Sequence, residues 1–191
     1  MKECIVCGRK VFSHGYCRMH VGKYYMAKGK VAYTTKQKSR LSVKILKKRL
    51  ETIYAPYIRM RDADTNGIVS CVCCGLKSFW KGGIMANGHF ISRHSSASLV
   101  YQEWNTHPQC RSCNFPHNET AKHQYMLYMI KRYGQEKVEY YLSMKNNYIW
   151  KPTAFEIEVL IKDYIKKFLE QCTRLKHTPT PKEQKVIDEF K

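Results

Sequence analysis

Two pairs of closely spaced cysteines constrain the fold of this chain more than any other feature. Cys71 and Cys74 form one Cys-x-x-Cys pair, and Cys110 and Cys113 form the other. Such knuckles place four thiolates around one Zn²⁺ ion, and in a reducing compartment paired cysteines indicate a metal site rather than disulfides. We therefore predict a structural zinc site that joins the two ends of the intervening segment. Cys73 is too close to Cys71 for a normal knuckle and is predicted not to be a ligand.

A second cysteine-rich cluster lies near the N-terminus. It consists of Cys4, Cys7, Cys17 and His20, which have the number and types of ligands of another structural zinc site. Segment 1–20 is too short to bury an apolar core, so we expect a bound metal ion to order it. The residues leave open whether this module contacts DNA or contributes stability alone.

The charge of the chain indicates a polyanionic partner. Its 34 Lys and Arg outnumber its 15 Asp and Glu, for a formal net charge of +19. Such a charge favours nucleic acid through counterion release, although a ribosome-associated or simply very soluble basic protein would share it. The candidate phosphate contacts are Arg93, His117, Lys44, Lys47, Lys48 and Arg49. We see neither an apolar leader nor a membrane-spanning run, and therefore expect a cytoplasmic protein that binds no membrane.

Three polar residues within and directly after the zinc-framed segment predict a hydrolytic site. Hydrolysis of a phosphodiester needs a base for water and a cation for the charge on the phosphate. His89 is the predicted general base, since an unperturbed imidazole has a pKa of about 6.5. Asn114 would offer its amide oxygen to Mg²⁺, which prefers oxygen ligands, and Asn105 would pin the intervening loop by hydrogen bonds to the backbone. The order His89, Asn105, Asn114 is the HNH arrangement.

The sequence pattern predicts an α+β fold in four segments. They are a zinc-finger-like module (1–20), a basic linker and helix (21–64), an HNH nuclease core of the ββα-metal type with structural zinc (65–150), and C-terminal helices (151–191). Apolar residues at three- and four-residue steps predict a helix from about 41 to 62. Capping signatures at Thr153 and Thr180 predict two later helices. Between 65 and 120 the sequence favours short strands and loops.

These motifs resemble the lambdoid-phage recombination endonucleases called NinG or Rap. The resemblance runs from about Tyr57 to Leu142 and rests on the segments YIRMRDAD, CVCCG, NGHF, EWNTHPQCRSCN and RYGQEKVEYYL. It implies a structure-specific endonuclease that cuts Holliday junctions, D-loops or related branched intermediates in the host cytoplasm, using Mg²⁺ or Mn²⁺. It also implies branched or double-stranded DNA and recombination proteins as partners, and a homodimer, because resolving a four-way junction needs two opposed cuts.

One departure from the HNH pattern leaves the catalytic metal without an obvious second ligand. Many HNH enzymes carry Asp directly before the base histidine, whereas this chain has Gly88 there. Asn87, Asp62, Asp64 or water alone could complete the site. His117 is a candidate phosphate or metal contact, and His107 could support the zinc knuckle. Two functional alternatives are another HNH phage nuclease or nickase, and a non-catalytic zinc-dependent DNA-binding recombination adaptor.

Overall fold

The computed structural model describes residues 41–115, 118–147 and 150–191. The predicted N-terminal zinc module, with Cys4, Cys7, Cys17 and His20, lies outside the described residues, as does His117. Ser42–Lys191 form one compact unit, and the division of the chain into four segments stays a prediction. None of the described helices has both the length and the apolar character needed to cross a membrane.

Five helices and two small sheets form the described part of the chain, which confirms a mixed α+β fold. The helices are α1 (Val43–Arg61), α2 (Glu119–Tyr133), α3 (Gln135–Asn147), α4 (Ala154–Arg174) and α5 (Pro181–Phe190). The strands are β1 (Ile68–Ser70), β2 (Lys77–Phe79), β3 (Met85–His89) and β4 (Thr106–Cys110). Both sheets are antiparallel pairs, β1 with β2 and β3 with β4. In the second pair Met85 lies opposite Cys110 and His89 lies opposite Thr106.

Helix α1 confirms the helix that the apolar spacing predicts between about 41 and 62. The Ser42 side chain caps its N-terminus by accepting a hydrogen bond from the Ile45 amide at 3.4 Å. Its principal packing partner is α4. Between these helices, Tyr54 and Tyr164 pack edge to face with ring centroids 4.9 Å apart. Each ring buried in this way stabilises the fold by roughly 1.5–3 kcal/mol through removal of apolar surface from water.

The two capping signatures of the C-terminal helices are confirmed. Thr153 accepts from the Glu156 amide at 3.2 Å, and the Glu156 carboxylate accepts from the Thr153 amide at 2.7 Å. Thr180 and Glu183 form the same reciprocal pair at the start of α5. These contacts satisfy amide groups that have no partner within a helix, and so fix where each helix begins.

A second apolar cluster holds the loop that connects β3 to β4 against α2 and α3. Its buried members are Ile91, Leu99, Trp104, Tyr125, Met129, Val138, Tyr141 and Met144. Trp104 stacks on Tyr141 with ring centroids 3.9 Å apart and planes within 7°. This packing holds the apolar side of the loop in place. The polar residues at the two ends of the loop are therefore held in place as well.

Candidate functional site

The four paired cysteines converge as the sequence predicts. The sulfur atoms of Cys71, Cys74, Cys110 and Cys113 all lie within 4.8 Å of one another, and those of Cys74 and Cys110 are 3.7 Å apart. Tetrahedral Zn–S bonds of about 2.3 Å place sulfur atoms about 3.8 Å apart, so the spacing fits Zn²⁺. The group could therefore hold a metal ion such as zinc, and it ties the β1–β2 hairpin to the end of β4.

The local backbone explains how the first knuckle forms. Gly75 has a φ of 73°, in the left-handed region that favours glycine, and its amide donates to the Cys71 carbonyl at 2.9 Å. A hydrogen bond from the Cys73 thiol lowers the pKa of Cys71 to about 3 and raises that of Cys73. Cys73 lies outside the four-cysteine group whose sulfur atoms converge.

His89 ends β3 and lines a cleft, where burial makes it a neutral imidazole. Its Nε2 lies 3.1 Å from the carbonyl oxygen of Val100. Because a carbonyl can only accept, Nε2 carries the proton and Nδ1 retains its lone pair. Burial, together with the positive charge of Arg93, lowers the pKa of His89 to about 4. At neutral pH this side chain is therefore unprotonated, which is the form that a general base needs, although a pKa this low makes it a weak base.

Asn105 is fully buried and hydrogen-bonds to the backbone of the β3–β4 loop. Its Oδ1 accepts from the Ile91 amide at 2.7 Å, and its Nδ2 donates to the carbonyls of Ile91 and Leu99, both at 3.0 Å. Leu99 directly precedes Val100, whose carbonyl fixes the His89 ring. The Asn105 side chain therefore holds the part of the loop whose Val100 carbonyl orients the His89 ring.

The cleft around His89 has a volume of about 480 Å³ and gathers residues from three parts of the chain. Its lining residues are Glu51, Ala55 and Arg59 of α1, Ala86, Asn87 and His89 of β3, and Ser92, Arg93 and Asn114. Arg93 forms an ion pair with Glu51 at 2.9 Å, and Arg59 donates to the Asn87 side-chain oxygen at 3.2 Å. Two guanidinium groups against one carboxylate leave the lining net positive, which suits a phosphate.

The sequence interpretation missed the contribution of α1 to this cleft. Glu51, Ala55 and Arg59 recur every four residues and so lie on one helix face. That spacing can be read from the sequence, and it predicts that the three residues share one face of the helix. It does not predict which part of the protein that face contacts. The face lines the cleft because α1 also packs against β3 and β4.

Asn114 lies in the turn that follows the second knuckle, with its side chain exposed at the cleft. It precedes the next helix rather than beginning it, because α2 starts only at Glu119, with Asn118 as its cap. The backbone amide of Asn114 donates to the Cys110 carbonyl at 2.9 Å. The turn around the knuckle therefore positions this residue. Its side-chain amide oxygen is of the type that binds Mg²⁺.

The two acidic residues considered as a second ligand of the catalytic metal lie outside the cleft. Asp62 pairs with Arg61 at 2.6 Å and with Arg132 at 3.2 Å. Although burial favours its neutral form, the hydrogen bond from Arg61 holds the pKa of Asp62 below its ordinary value. Asp64 accepts from backbone amides of its own turn. Neither carboxylate lines the cleft. Asn87 does, but its oxygen accepts from Arg59.

His107 lies among tyrosines rather than against a cysteine. Its Nδ1 is 3.0 Å from the Tyr125 hydroxyl and its Nε2 is 3.1 Å from the Tyr133 hydroxyl. The Tyr125 hydroxyl donates to the Gly88 carbonyl at 3.1 Å, so it accepts from Nδ1. Burial, together with the positive charge of Arg61, lowers the pKa of His107 to about 3. This neutral histidine connects α2 to the strand that carries His89.

The predicted phosphate contacts differ in how free their charges are. Lys44, Lys47 and Lys48 are exposed on α1. Arg49 instead forms an ion pair with Glu189 at 2.7 Å, and Arg93 is the cleft residue paired with Glu51. Three of the predicted contacts are thus directly available on the surface, whereas the two arginines would exchange an existing partner for phosphate.

Comparison with known proteins identifies related sequences. A family model described as Bacteriophage Lambda NinG protein matches residues 2–177. Protein ninG of Escherichia phage lambda is 30% identical over 113 residues, which cover 58% of this chain and 50% of that protein. Protein ninG of Escherichia phage 933W is 31% identical over 96 residues, covering 49% of this chain and 43% of that protein. The chain thus spans about half the length of these curated relatives. No solved structure matches this chain.

Proposed function

This chain belongs to the NinG family of phage proteins, and we propose that it is a metal-dependent endonuclease that cuts branched DNA. The observation that carries the proposal is the cleft in which a neutral His89 and the Asn114 amide lie with Arg59 and Arg93. A base, an oxygen ligand for a cation and positive groups for phosphate are the parts that phosphodiester hydrolysis requires.

The roles of the chain's own residues follow from their surroundings. His89, neutral and oriented by the Val100 carbonyl, takes the proton from the attacking water. Arg93 and Arg59 attract the phosphate backbone and orient it in the cleft. A divalent cation such as Mg²⁺, bound by Asn114, would supply neutralisation of the charge on the scissile phosphate and the leaving oxygen. Asn105 holds the loop that keeps the His89 ring in place.

The arrangement of elements supports a nuclease of the HNH type. Strands β3 and β4 are followed by α2, and the four-cysteine group fixes the turn between β4 and that helix. His89 ends β3, and Asn114 lies in the turn after β4. Because β3 and β4 are rigid paired strands, they set the distance between these two residues. The formal net charge of +19 supports binding to nucleic acid through phosphates, which carry no sequence information.

The preference for branched DNA and the homodimer are inferred from the family resemblance and from the need for two opposed cuts. A substrate panel tests them. Four-way junctions, flaps and linear duplexes of matched sequence are incubated with the protein, with and without Mg²⁺ or Mn²⁺. We expect metal-dependent cutting of the branched substrates and little cutting of the linear duplex. Equal rates on linear DNA would instead indicate a general nuclease or nickase, and binding without cutting would indicate a recombination adaptor.

A further inference from the structure

Phe115 is an exposed aromatic residue directly beside the proposed catalytic site. It follows Asn114, which lines the His89 cleft, so the Cα atoms of the two neighbours are about 3.8 Å apart. Phe115 is 63% exposed, the largest fraction among the large apolar residues that the structure describes. A ring in this position can contact a molecule that occupies the cleft.

The turn that carries Phe115 is held on both sides. On one side, the backbone amide of Asn114 donates to the Cys110 carbonyl at 2.9 Å, and Cys110 belongs to the four-cysteine group. On the other, the Asn118 amide donates to the Phe115 carbonyl at 3.1 Å, and the Asn118 side chain donates to the Ser112 carbonyl at 3.1 Å. The backbone of the turn is therefore fixed before a ligand arrives, which lowers the entropic cost of binding.

The charges around the ring favour an anionic partner. Phe115 shares a shallow depression of about 680 Å³ with Arg111 and the first residues of α2. Arg111 is exposed, and within the ranges that the structure describes it forms no hydrogen bond or ion pair. Glu119 also lines the depression, but Lys122 lies 2.6 Å from its carboxylate. The guanidinium charge of Arg111 is therefore available to a phosphate beside the ring.

A nucleobase with a free face is the ligand that suits an exposed ring next to an available cation. Proteins that bind single strands combine aromatic rings, on which bases stack, with positive groups that follow the backbone. In a linear duplex the neighbouring bases cover both faces of each base, so contact with a side chain requires unstacking. An unpaired base at a branch point needs much less unstacking. The ring therefore favours branched over linear DNA.

We propose that Phe115 stacks on an unpaired base at the branch point of DNA, while Arg111 contacts an adjoining phosphate. This inference rests on the proposed function and names the feature by which that site recognises branched DNA. Because Asn114 and Phe115 are neighbours, the stacked base lies close to the phosphate that is cut. The recognition is independent of sequence, since every base has a face for stacking.

The test compares two three-way DNA junctions that differ at one position. One carries an unpaired adenine at the branch point, and the other carries an abasic site there. Fluorescence anisotropy without Mg²⁺ or Mn²⁺ measures affinity under conditions in which no DNA is cut. Wild type should bind the adenine junction at least about fivefold more tightly, the lower end of the contribution of one base–aromatic stack. A linear duplex of matched sequence measures binding that involves no unpaired base.

Three variants separate stacking from other roles of the ring. Phe115→Leu keeps an apolar side chain without an aromatic face, so it should bind both junctions as wild type binds the abasic one. Phe115→Trp should keep or increase the preference for adenine, because its ring is larger. Tyr140→Ala removes a 50% exposed ring on α3 and should bind as wild type does. Affinity for the linear duplex should stay within about twofold of wild type in all three, because phosphate contacts dominate it.

The contact of Arg111 has its own measurement. Arg111→Gln should lower the slope of log affinity against log salt concentration by about 0.9 for the adenine junction, the contribution of one phosphate. An unchanged slope would contradict the phosphate contact. Zinc content and the urea unfolding midpoint, measured on the same samples, show whether the four-cysteine group and the fold are intact in each variant.

Four results would overturn the stacking. They are equal affinity of wild type for the two junctions, a preference for adenine that persists in Phe115→Leu, an equal loss on the junctions and the linear duplex, and a changed oligomeric state in Phe115→Leu. The third would indicate a structural role, and the fourth would place a second copy of the chain on the ring.

None of these measurements depends on DNA cleavage. A wild-type protein that prefers the adenine junction through Phe115 but cuts no branched DNA would contradict the proposed function and support the stacking. One that cuts branched DNA while Phe115→Leu keeps the preference would do the reverse.

Discussion

Removal of the Asn105 side-chain amide should destabilise the protein and misplace His89, the proposed general base. Asn105→Ala deletes three hydrogen bonds to the backbone groups of Ile91 and Leu99 at a position with no solvent exposure. Each buried group that loses its partner costs about 1–3 kcal/mol, so we expect the free energy of unfolding to fall by about 3–5 kcal/mol. That is a large fraction of the roughly 5–15 kcal/mol that stabilises a typical domain.

Urea unfolding followed by circular dichroism measures this loss. Asn66→Ala is the matched control, because Asn66 is exposed, and it should change stability by less than about 0.5 kcal/mol. Under conditions where Asn105→Ala remains folded, cleavage should also fall, since Leu99 adjoins the Val100 carbonyl that orients His89. A destabilisation of less than about 1 kcal/mol would refute the argument that these bonds fix the loop.

Three further predictions follow from single features. Cys113→Ser should lower the zinc bound per chain by one ion relative to wild type, measured by elemental analysis, and unchanged zinc would show that the four-cysteine group is not a zinc site. Thr153→Ala should reduce stability by about 1 kcal/mol through loss of the cap, and a melting temperature within error of wild type would contradict this. Burial lowers the pKa of His107 to about 3, so protonation favours the unfolded chain. The contribution of His107 to stability is full above about pH 6.5 and should decline as pH falls, by about 2 kcal/mol at pH 5. An equal pH dependence of stability in His107→Gln and wild type would contradict this.

The local features of the fold are the ones that the sequence predicts well. The extent of α1 and the caps at Thr153 and Thr180 depend on residues within a few positions of one another. Their physical causes, which are helical spacing of apolar residues and satisfaction of the first amides, act along the chain. The convergence of the two cysteine pairs is also predictable, because four thiolates at that spacing have a single plausible metal geometry.

The composition of the cleft is harder to predict because it depends on contacts between distant segments. Arg59 reaches the site only through the packing of α1 against β3 and β4. The contacts of His107 are equally hard to predict. Its tyrosine partners lie on α2, and no regular spacing in the sequence relates them to His107. A pattern of residue types predicts which chemistry is present, but tertiary packing decides which side chains share a site.

The role of His89 can be tested most directly by comparing two histidine variants in single-turnover cleavage of a four-way junction with Mg²⁺. His89→Ala should lower the cleavage rate constant by about 10²–10⁴-fold, the usual contribution of a general base, while junction affinity stays at the wild-type value. His94→Ala removes an exposed histidine of the same loop and should cut at the wild-type rate. A His89→Ala protein that cuts the junction as fast as wild type would contradict the assignment of this cleft as the hydrolytic site.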